Sequence, residues 1–355
     1  MAKQDVRGKA QTVLGLIDGS ELGITLPHEH LFIDISIVFT EPIDPEEKKL
    51  AHQKITMENL SYVRYHRFSS EDNAVLGNEG MATREVVYFK KAGGKTIVDL
   101  TCINIGRNPA GLVNVAKATG LNIIMGTSYY TAQSYAPEMK IDSRTEEDIA
   151  GEFIRDITAG VGDTGIKAGI IGEIGCSWPL EEGERKVLRA AGMAQQETGT
   201  AINIHPGACK EAPFEYIKVL EGAGADPSRV VISHMTRTFP ISARDDRAKL
   251  AEKGCYLEYD MFGRDGTYPT PIGPYDDAND TIRINEIMEL IEDGFLDRIL
   301  ISQDVCFKIQ LRAYGGGGYS LILKIIVPRM LEKGMTEEQI HTILVDNPKR
   351  ISTFV

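Results

Sequence analysis

Two histidines, His28 and His30, stand two residues apart at the end of the apolar run 23–30. An extended chain repeats every two residues, so both side chains point to the same side. His205 closes a second apolar run, 200–205, and His234 closes a third, 229–234. Glu173 lies at the end of 168–174, and Asp304 ends 298–304. A lone histidine in a strand is most often a hydrogen-bonded core group, and a lone acid after a strand is often a helix cap. Six such groups at the ends of neighbouring strands are different. Burying them together without a cation would strand carboxylates and imidazoles in one crowded site. A pair of divalent metal ions resolves this, because imidazole nitrogen and carboxylate oxygen suit zinc first, with manganese, iron or cobalt as alternatives. The other three histidines, His52, His66 and His341, fall in loop or helix segments.

These residues need strands to carry them. Eight short apolar runs read as strands: 23–30, 96–102, 121–126, 168–174, 200–205, 229–234, 255–260 and 298–304. Between them lie helical patterns. Those at 182–199, 213–222 and 241–254 each end at a glycine, and 280–294 carries Ile282, Ile284, Ile287, Leu290 and Ile291 on one stripe. Alternation of strand and helix implies βα units and a parallel sheet. Eight units without a compositional break predict an α/β fold, a single (β/α)8 TIM barrel, forming one domain over 1–355. A doubly wound sheet would want a Gly-rich phosphate turn after its first strand, where this chain has Pro27-His28-Glu29-His30. Two long loops are expected, 31–81 after strand 1 and 261–279 after strand 7. Both lie at the C-terminal face of a barrel, where active sites sit. A last helix is expected at 336–345.

Composition narrows the partners. The chain has 355 residues, 42% hydrophobic and 25% charged, which excludes a disordered chain. Its 39 basic against 51 acidic residues give a net charge of −12, which disfavours nucleic acid and anionic membrane. No run approaches about 18 apolar residues, so no membrane span is expected. Five scattered cysteines without a Cys-x-x-Cys pair read as reduced thiols. With no apolar leader behind the first residues, a cytoplasmic location is expected. Glycine, at 35 residues, exceeds the roughly 25 of average usage, which implies many tight turns between short elements.

The text of the chain is more specific than its pattern. It contains Thr12-Val-Leu-Gly15, Leu22-Gly-Ile-Thr-Leu-Pro-His-Glu-His30, Gly172-Glu-Ile-Gly-Cys-Ser-Trp178 within 165–179, Ile204-His-Pro-Gly207, Ser233-His234, the run 256–263 and Tyr314-Gly-Gly-Gly-Gly-Tyr319. On these motifs, which span nearly the whole chain, it resembles the phosphotriesterase family of the amidohydrolase superfamily, in its phosphotriesterase-related branch. The resemblance implies that His28, His30 and Asp304 bind the more buried metal and His205 and His234 the more exposed one. Phosphotriesterases bridge the two with a carboxylated lysine from strand 4, and this chain departs there. Its strand 4 reads Ile171-Gly172-Glu173, and Lys167 lies six residues earlier, roughly 20 Å back along an extended chain. Glu173 is therefore the bridging ligand that the related branch implies. A second departure is Gln303 beside Asp304, where many relatives have histidine.

The implied activity is hydrolysis. Two cations about 3.5–4 Å apart hold a bridging hydroxide at neutral pH, one of them polarises the scissile group, and Asp304 takes the proton. Expected substrate contacts are Tyr130 after strand 3, Trp178 after strand 4 and Arg264 after strand 7. Loop packing, helix-start packing and a solvated guanidinium are their respective alternatives. Arg107 is a further such arginine. Asp260 is expected to support a metal ligand, and Glu258 to be a core salt-bridge group. The 315–318 glycines lack the Gly-Lys-Ser/Thr of a phosphate loop, so they read as backbone freedom near the site or as the start of the last barrel helix. The favoured substrate is a small carboxyl compound: an N-acyl amino compound, an ester or a lactone. Phosphotriester hydrolysis is the alternative that the family invites, and a metal-bearing small-molecule binder of the resiniferatoxin-binding kind is the non-catalytic one. Relatives are often homodimers, which makes a homodimer an expected partner alongside the substrate.

Overall fold

The computed structural model describes residues 6–264 and 278–355. Eight parallel strands form one sheet in chain order: β1 (Thr25–Glu29), β2 (Thr96–Asp99), β3 (Asn122–Thr127), β4 (Ile170–Gly175), β5 (Ile202–His205), β6 (Val230–Ile232), β7 (Tyr256–Tyr259) and β8 (Ile299–Ile301). The sheet curls into a nearly closed barrel. Polar contacts close its last seam: among them the Asp304 N–H donates to the His28 carbonyl, and the His28 N–H donates to Ser302 Oγ, both at 3.3 Å. Helices α1 (Glu79–Lys91), α2 (Pro109–Thr119), α3 (Glu146–Thr158), α4 (Glu182–Thr198), α5 (Ala212–Gly222), α6 (Arg244–Glu252) and α7 (Asp280–Glu292) lie between the strands in sequence. This is a TIM barrel.

Local chemistry starts and stops these helices. Asn78 Oδ1 accepts the Met81 N–H at the start of α1, and Thr145 and Asp148 cap α3 reciprocally. Gly199 ends α4 in the left-handed region at φ 69°, where a side chain would be strained. At Gly126 of β3 the need is for space: an added Cβ would lie 2.2 Å from the Gly172 carbonyl oxygen of β4.

The two-residue period of the strands sorts the core into two layers. In β7, Leu257 and Tyr259 face the helices, whereas Tyr256 points into the barrel. Ile97, Ile123, Ile171, Ile202, Ile232 and Ile299 join the outer layer with Val86, Phe89, Leu112, Leu188, Leu250 and Ile287 from the helices. Each such side chain contributes about 1.5–3 kcal/mol on burial. The inner layer is Val98, Leu100, Ile124, Ile170, Ala201, Val231, Tyr256 and Leu300, joined by Ala10, Leu22 and Ile351. Ala10 comes from an N-terminal hairpin, Lys9–Thr12 paired with Gly15–Asp18, and Ile351 from α8 (Asn347–Ser352). The expected last helix, 336–345, is found as the α-helix Glu337–His341, continued by a π-helical segment, Thr342–Asp346, into α8.

The long segment after β1 has its own short elements. Ile33–Asp34 pairs with Val75–Leu76, and helices Pro45–Ala51 and Leu60–Tyr65 lie between. It is tied to the segment after β8: Asp72 accepts from Lys308 Nζ at 2.7 Å, and Asn73 Oδ1 accepts the Ile309 N–H at 3.1 Å. Of the long loop expected after strand 7, Met261, Phe262, Gly263, Arg264, Ala278 and Asn279 are described. Gly266, Pro269, Pro271, Gly273 and Pro274 lie outside the described residues. No helix among the described residues is long and apolar enough to cross a membrane, and all five cysteines are free thiols.

Candidate metal centre

The C-terminal ends of five strands deliver six titratable groups to one place. His28 lies within β1 and His30 directly follows it. Glu173 lies in β4, and His205 is the last residue of β5. His234 follows β6 by two residues and Asp304 follows β8 by three. All six are buried, His205 the most open at 9%. His234 (φ 56°) and Asp304 (φ 48°) adopt left-handed backbone conformations. That conformation costs roughly 1–3 kcal/mol for such residues and persists only where neighbours impose it. For His234, Asp260 accepts its N–H at 3.0 Å. For Asp304, the carbonyl accepts from Gln310 Nε2 at 2.9 Å and from Arg264.

One carboxylate lies at the centre. Glu173 Oε1 is 3.3 Å from His30 Nε2. Its Oε2 is 3.1 Å from His205 Nδ1 and 3.6 Å from both His28 Nε2 and His234 Nε2. Asp304 Oδ1 is 3.2 Å from His30 Nε2 and 3.9 Å from His28 Nε2. Donor atoms of His28, His30 and Asp304 form one group within 4.8 Å, and those of His28, Glu173 and His234 form another.

The outward nitrogens are held too. His28 Nδ1 is 3.0 Å from both Glu258 Oε2 and Asp260 Oδ2. His30 Nδ1 is 2.9 Å from Thr101 Oγ1, and His234 Nδ1 is 3.0 Å from Asp260 Oδ1. Such partners hold a ring in the tautomer that leaves Nε2 with a lone pair facing inward. His28 Nε2 is buried and has no hydrogen-bond partner. A buried lone pair aimed at carboxylates asks for a cation between them. The electrostatics agree. Burial opposes the charge on Glu173, yet His28 and bonds from His205, His234 and His30 hold its carboxyl well below the usual range. Burial likewise opposes charge on Asp304, but the Arg264 guanidinium and His30 lower it to about 2. Burial and the neighbouring Arg237 charge lower His205 to about 3, so it is a neutral imidazole. The residues present fit a divalent metal site, with nitrogen and oxygen donors oriented before any ion arrives.

Glu258 and Asp260 both lie against His28, and Asp260 spans His28 and His234. Tyr130 places its hydroxyl 3.2 Å from His205 Nε2. Trp178 is 38% exposed and lies close against Gly207. Arg264 binds Asp304 Oδ2 at 2.6 Å, so its contact in this structure is with a site carboxylate. Arg107 pairs with Asp156 at 2.8 Å, in a buried ion pair rather than a solvated position.

Two residues escaped the sequence reading. Glu29 faces away from the histidines on either side of it. It accepts from Ser302 Oγ at 2.7 Å, from the Gln303 N–H and Nε2 at 3.0 and 2.9 Å, and from the Val305 N–H at 2.9 Å. The strand period forecasts its direction, but its partners lie some 270 residues away. Gln303 thus helps bind β1 to β8. The other missed residue is Arg237, whose Nη2 is 2.9 Å from His205 Nε2. Its position one helical turn after His234 was the available signal.

Comparison with known proteins gives this site a lineage. The model of the phosphotriesterase family matches residues 8–352. The N-acetyltaurine hydrolase of Homo sapiens is 41% identical over 349 residues, covering 98% of both chains. The crystal structure of a resiniferatoxin-binding protein from Rhodobacter sphaeroides superposes with a TM-score of 0.93 at 35% identity, covering 98% of this chain and 96% of that one. A lactonase from Listeria monocytogenes superposes with a TM-score of 0.77 at 25% identity, covering 98% and 99%. With a matching family model across almost its whole length and relatives near 40% identity, the chain belongs to the phosphotriesterase family.

Proposed function

We propose that this metal-dependent hydrolase holds two divalent cations and cleaves a small acyl substrate: an N-acyl amino compound, an ester or a lactone. His28, His30 and Asp304 would hold the inner ion, His205 and His234 the outer one, and Glu173 would be shared. The observation that carries the reading is the Glu173 carboxylate. Its Oε1 faces His30, while its Oε2 faces His205, His234 and His28. A single carboxylate with its two oxygens turned to different histidines suits a bridge between two ions. Zinc is the ion that best suits these nitrogen and oxygen donors. When bound, such a pair supplies an ionised water at neutral pH and a Lewis acid for the scissile carbonyl.

The chain's own residues do the rest. Asp304 turns Oδ1 toward the histidines and takes the proton released in the attack, while Arg264 holds Oδ2 and fixes the carboxylate plane. Asp260 and Glu258 orient His28, and Asp260 also orients His234. Tyr130 stands against the outer histidine, where it walls the substrate side. The carboxyl preference is supported by the names of two relatives, an N-acetyltaurine hydrolase and a lactonase. It is also supported by glutamate at the place where phosphotriesterases use lysine.

The test is turnover by metal-loaded protein on N-acyl amino acids, lactones and aryl phosphotriesters, alongside metal analysis. Expected are about two equivalents of metal and turnover that favours a carboxyl substrate. Turnover of phosphotriesters alone would shift the reading to organophosphate hydrolysis. Full metal loading without any turnover would leave a binding protein.

A further inference from the structure

Arg237 lies in the helical turn Met235–Thr238 that directly follows His234. Its Nη2 is 2.9 Å from His205 Nε2 and also donates to the Pro206 carbonyl at 2.5 Å. Its Nε is buried without a hydrogen-bond partner. Among the described residues no carboxylate lies within 4.0 Å of it, whereas Arg107, Arg247, Arg264 and Arg283 are each buried against an acid. A guanidinium remains charged at any physiological pH, so this charge stands beside the site without a counter-ion.

Metal binding sharpens the imbalance. His205 turns Nδ1 toward Glu173 Oε2, at 3.1 Å, and toward His234 Nε2, at 2.8 Å. If Nδ1 is the nitrogen given to a cation, the ring proton must sit on Nε2. Nε2–H then cannot accept from Arg237, and two donors face each other at 2.9 Å. Tyr130 oxygen, 3.2 Å from the same nitrogen, is placed to accept the histidine proton. Arg237 then keeps the Pro206 carbonyl, and its buried Nε–H stays unsatisfied next to a centre of positive charge. The group that repairs this is an oxyanion.

We propose that Arg237 binds an anionic oxyacid group, a sulfonate or carboxylate, on the part of the substrate remote from the scissile acyl bond. The inference rests on the hydrolase reading above and narrows it. The substrate would be an anionic acyl compound, and neutral lactones and triesters would be poor ones. Arg237 is thereby a specificity-determining residue. A planar fork of donors suits both oxyacids, and charge-assisted bonds of this kind are among the stronger ones in proteins.

The experiment compares wild type with Arg237→Gln and Arg237→Lys, each fully zinc-loaded. Two readouts are taken: calorimetric binding of ethanesulfonate, and kcat/KM for N-acetyl-β-alanine against its neutral methyl amide. For Arg237→Gln, ethanesulfonate affinity and the anionic-over-neutral ratio should both fall about ten- to a hundredfold, with Arg237→Lys between. An unchanged affinity, or equal losses on both substrates, would overturn the assignment. Loss of metal in step with both activities would also overturn it, because Arg237 would then be a support for His205. If wild type hydrolyses neither substrate, yet the glutamine variant loses sulfonate affinity, the hydrolase reading fails and the anion site stands.

Discussion

The two ends of the barrel interior are built from the same strands and obey opposite rules. At the N-terminal end, Val98, Ile124, Ile170, Val231, Tyr256 and Leu300 meet Ala10, Leu22 and Ile351 in an apolar plug. A few residues further along, those strands carry buried histidines and carboxylates with strained backbone at His234 and Asp304. In β7 the change takes one strand period: Tyr256 packs in the plug, and Glu258 is already bonded to His28. Burial stabilises the first end directly. At the second it is a cost that oppositely charged neighbours, and finally cations, must offset. The lower end therefore contributes stability, while the upper end holds the charged groups and the strained backbone of the site.

Asp304→Asn should lower kcat by about 10²–10⁴-fold. If its metal content is kept, unchanged turnover would refute the proton role. Leu300→Ala, in the plug, should cost about 2–5 kcal/mol in denaturant unfolding, while activity per folded molecule persists. Lost activity with full stability would show that the two ends are not separable in this way. Asp260→Asn should weaken metal affinity roughly 10- to 100-fold, read by chelator competition, with a smaller effect on the stability of metal-free protein.

The last effect is the smallest and concerns pH. Burial disfavours charge on His30, but bonds to Asp304 and Glu173 outweigh it and raise its pKa to about 9 in the metal-free protein. A raised folded pKa contributes stability that is complete below the unfolded value near 6.5 and is lost as pH rises through about 9. Metal-free protein should therefore melt at a lower temperature at pH 9 than at pH 6.5. Zinc-loaded protein should lose less, since the cation replaces the proton. A flat metal-free melting curve across that window would contradict the charge balance inferred at the site.

The parts legible in the sequence were those governed by short-range period. His28 and His30 share a side because strands repeat every two residues, and the ends of apolar runs located Glu173, His205 and His234. The alternation of strands and glycine-ended helices announced the barrel. What stayed hidden depends on residues far apart in the chain. The partners of Glu29 lie on the last strand. Ile351 reaches the barrel interior from the final helix. Arg264 meets Asp304 across 40 residues. The left-handed backbone at His234 and Asp304 belongs to non-glycine residues, for which no sequence signal prepares the reader. Arg237 lay within reach, one turn beyond a strand-end histidine, but its lack of a counter-ion is a property of the folded site alone.

The claim on which the rest depends is that Glu173 joins two cations. Anomalous scattering from crystals of zinc-loaded protein tests it directly. The account predicts two zinc peaks on either side of the Glu173 carboxylate, one against His28, His30 and Asp304 and one against His205 and His234. A single peak in fully loaded crystals, or two peaks that Glu173 does not touch, would contradict it.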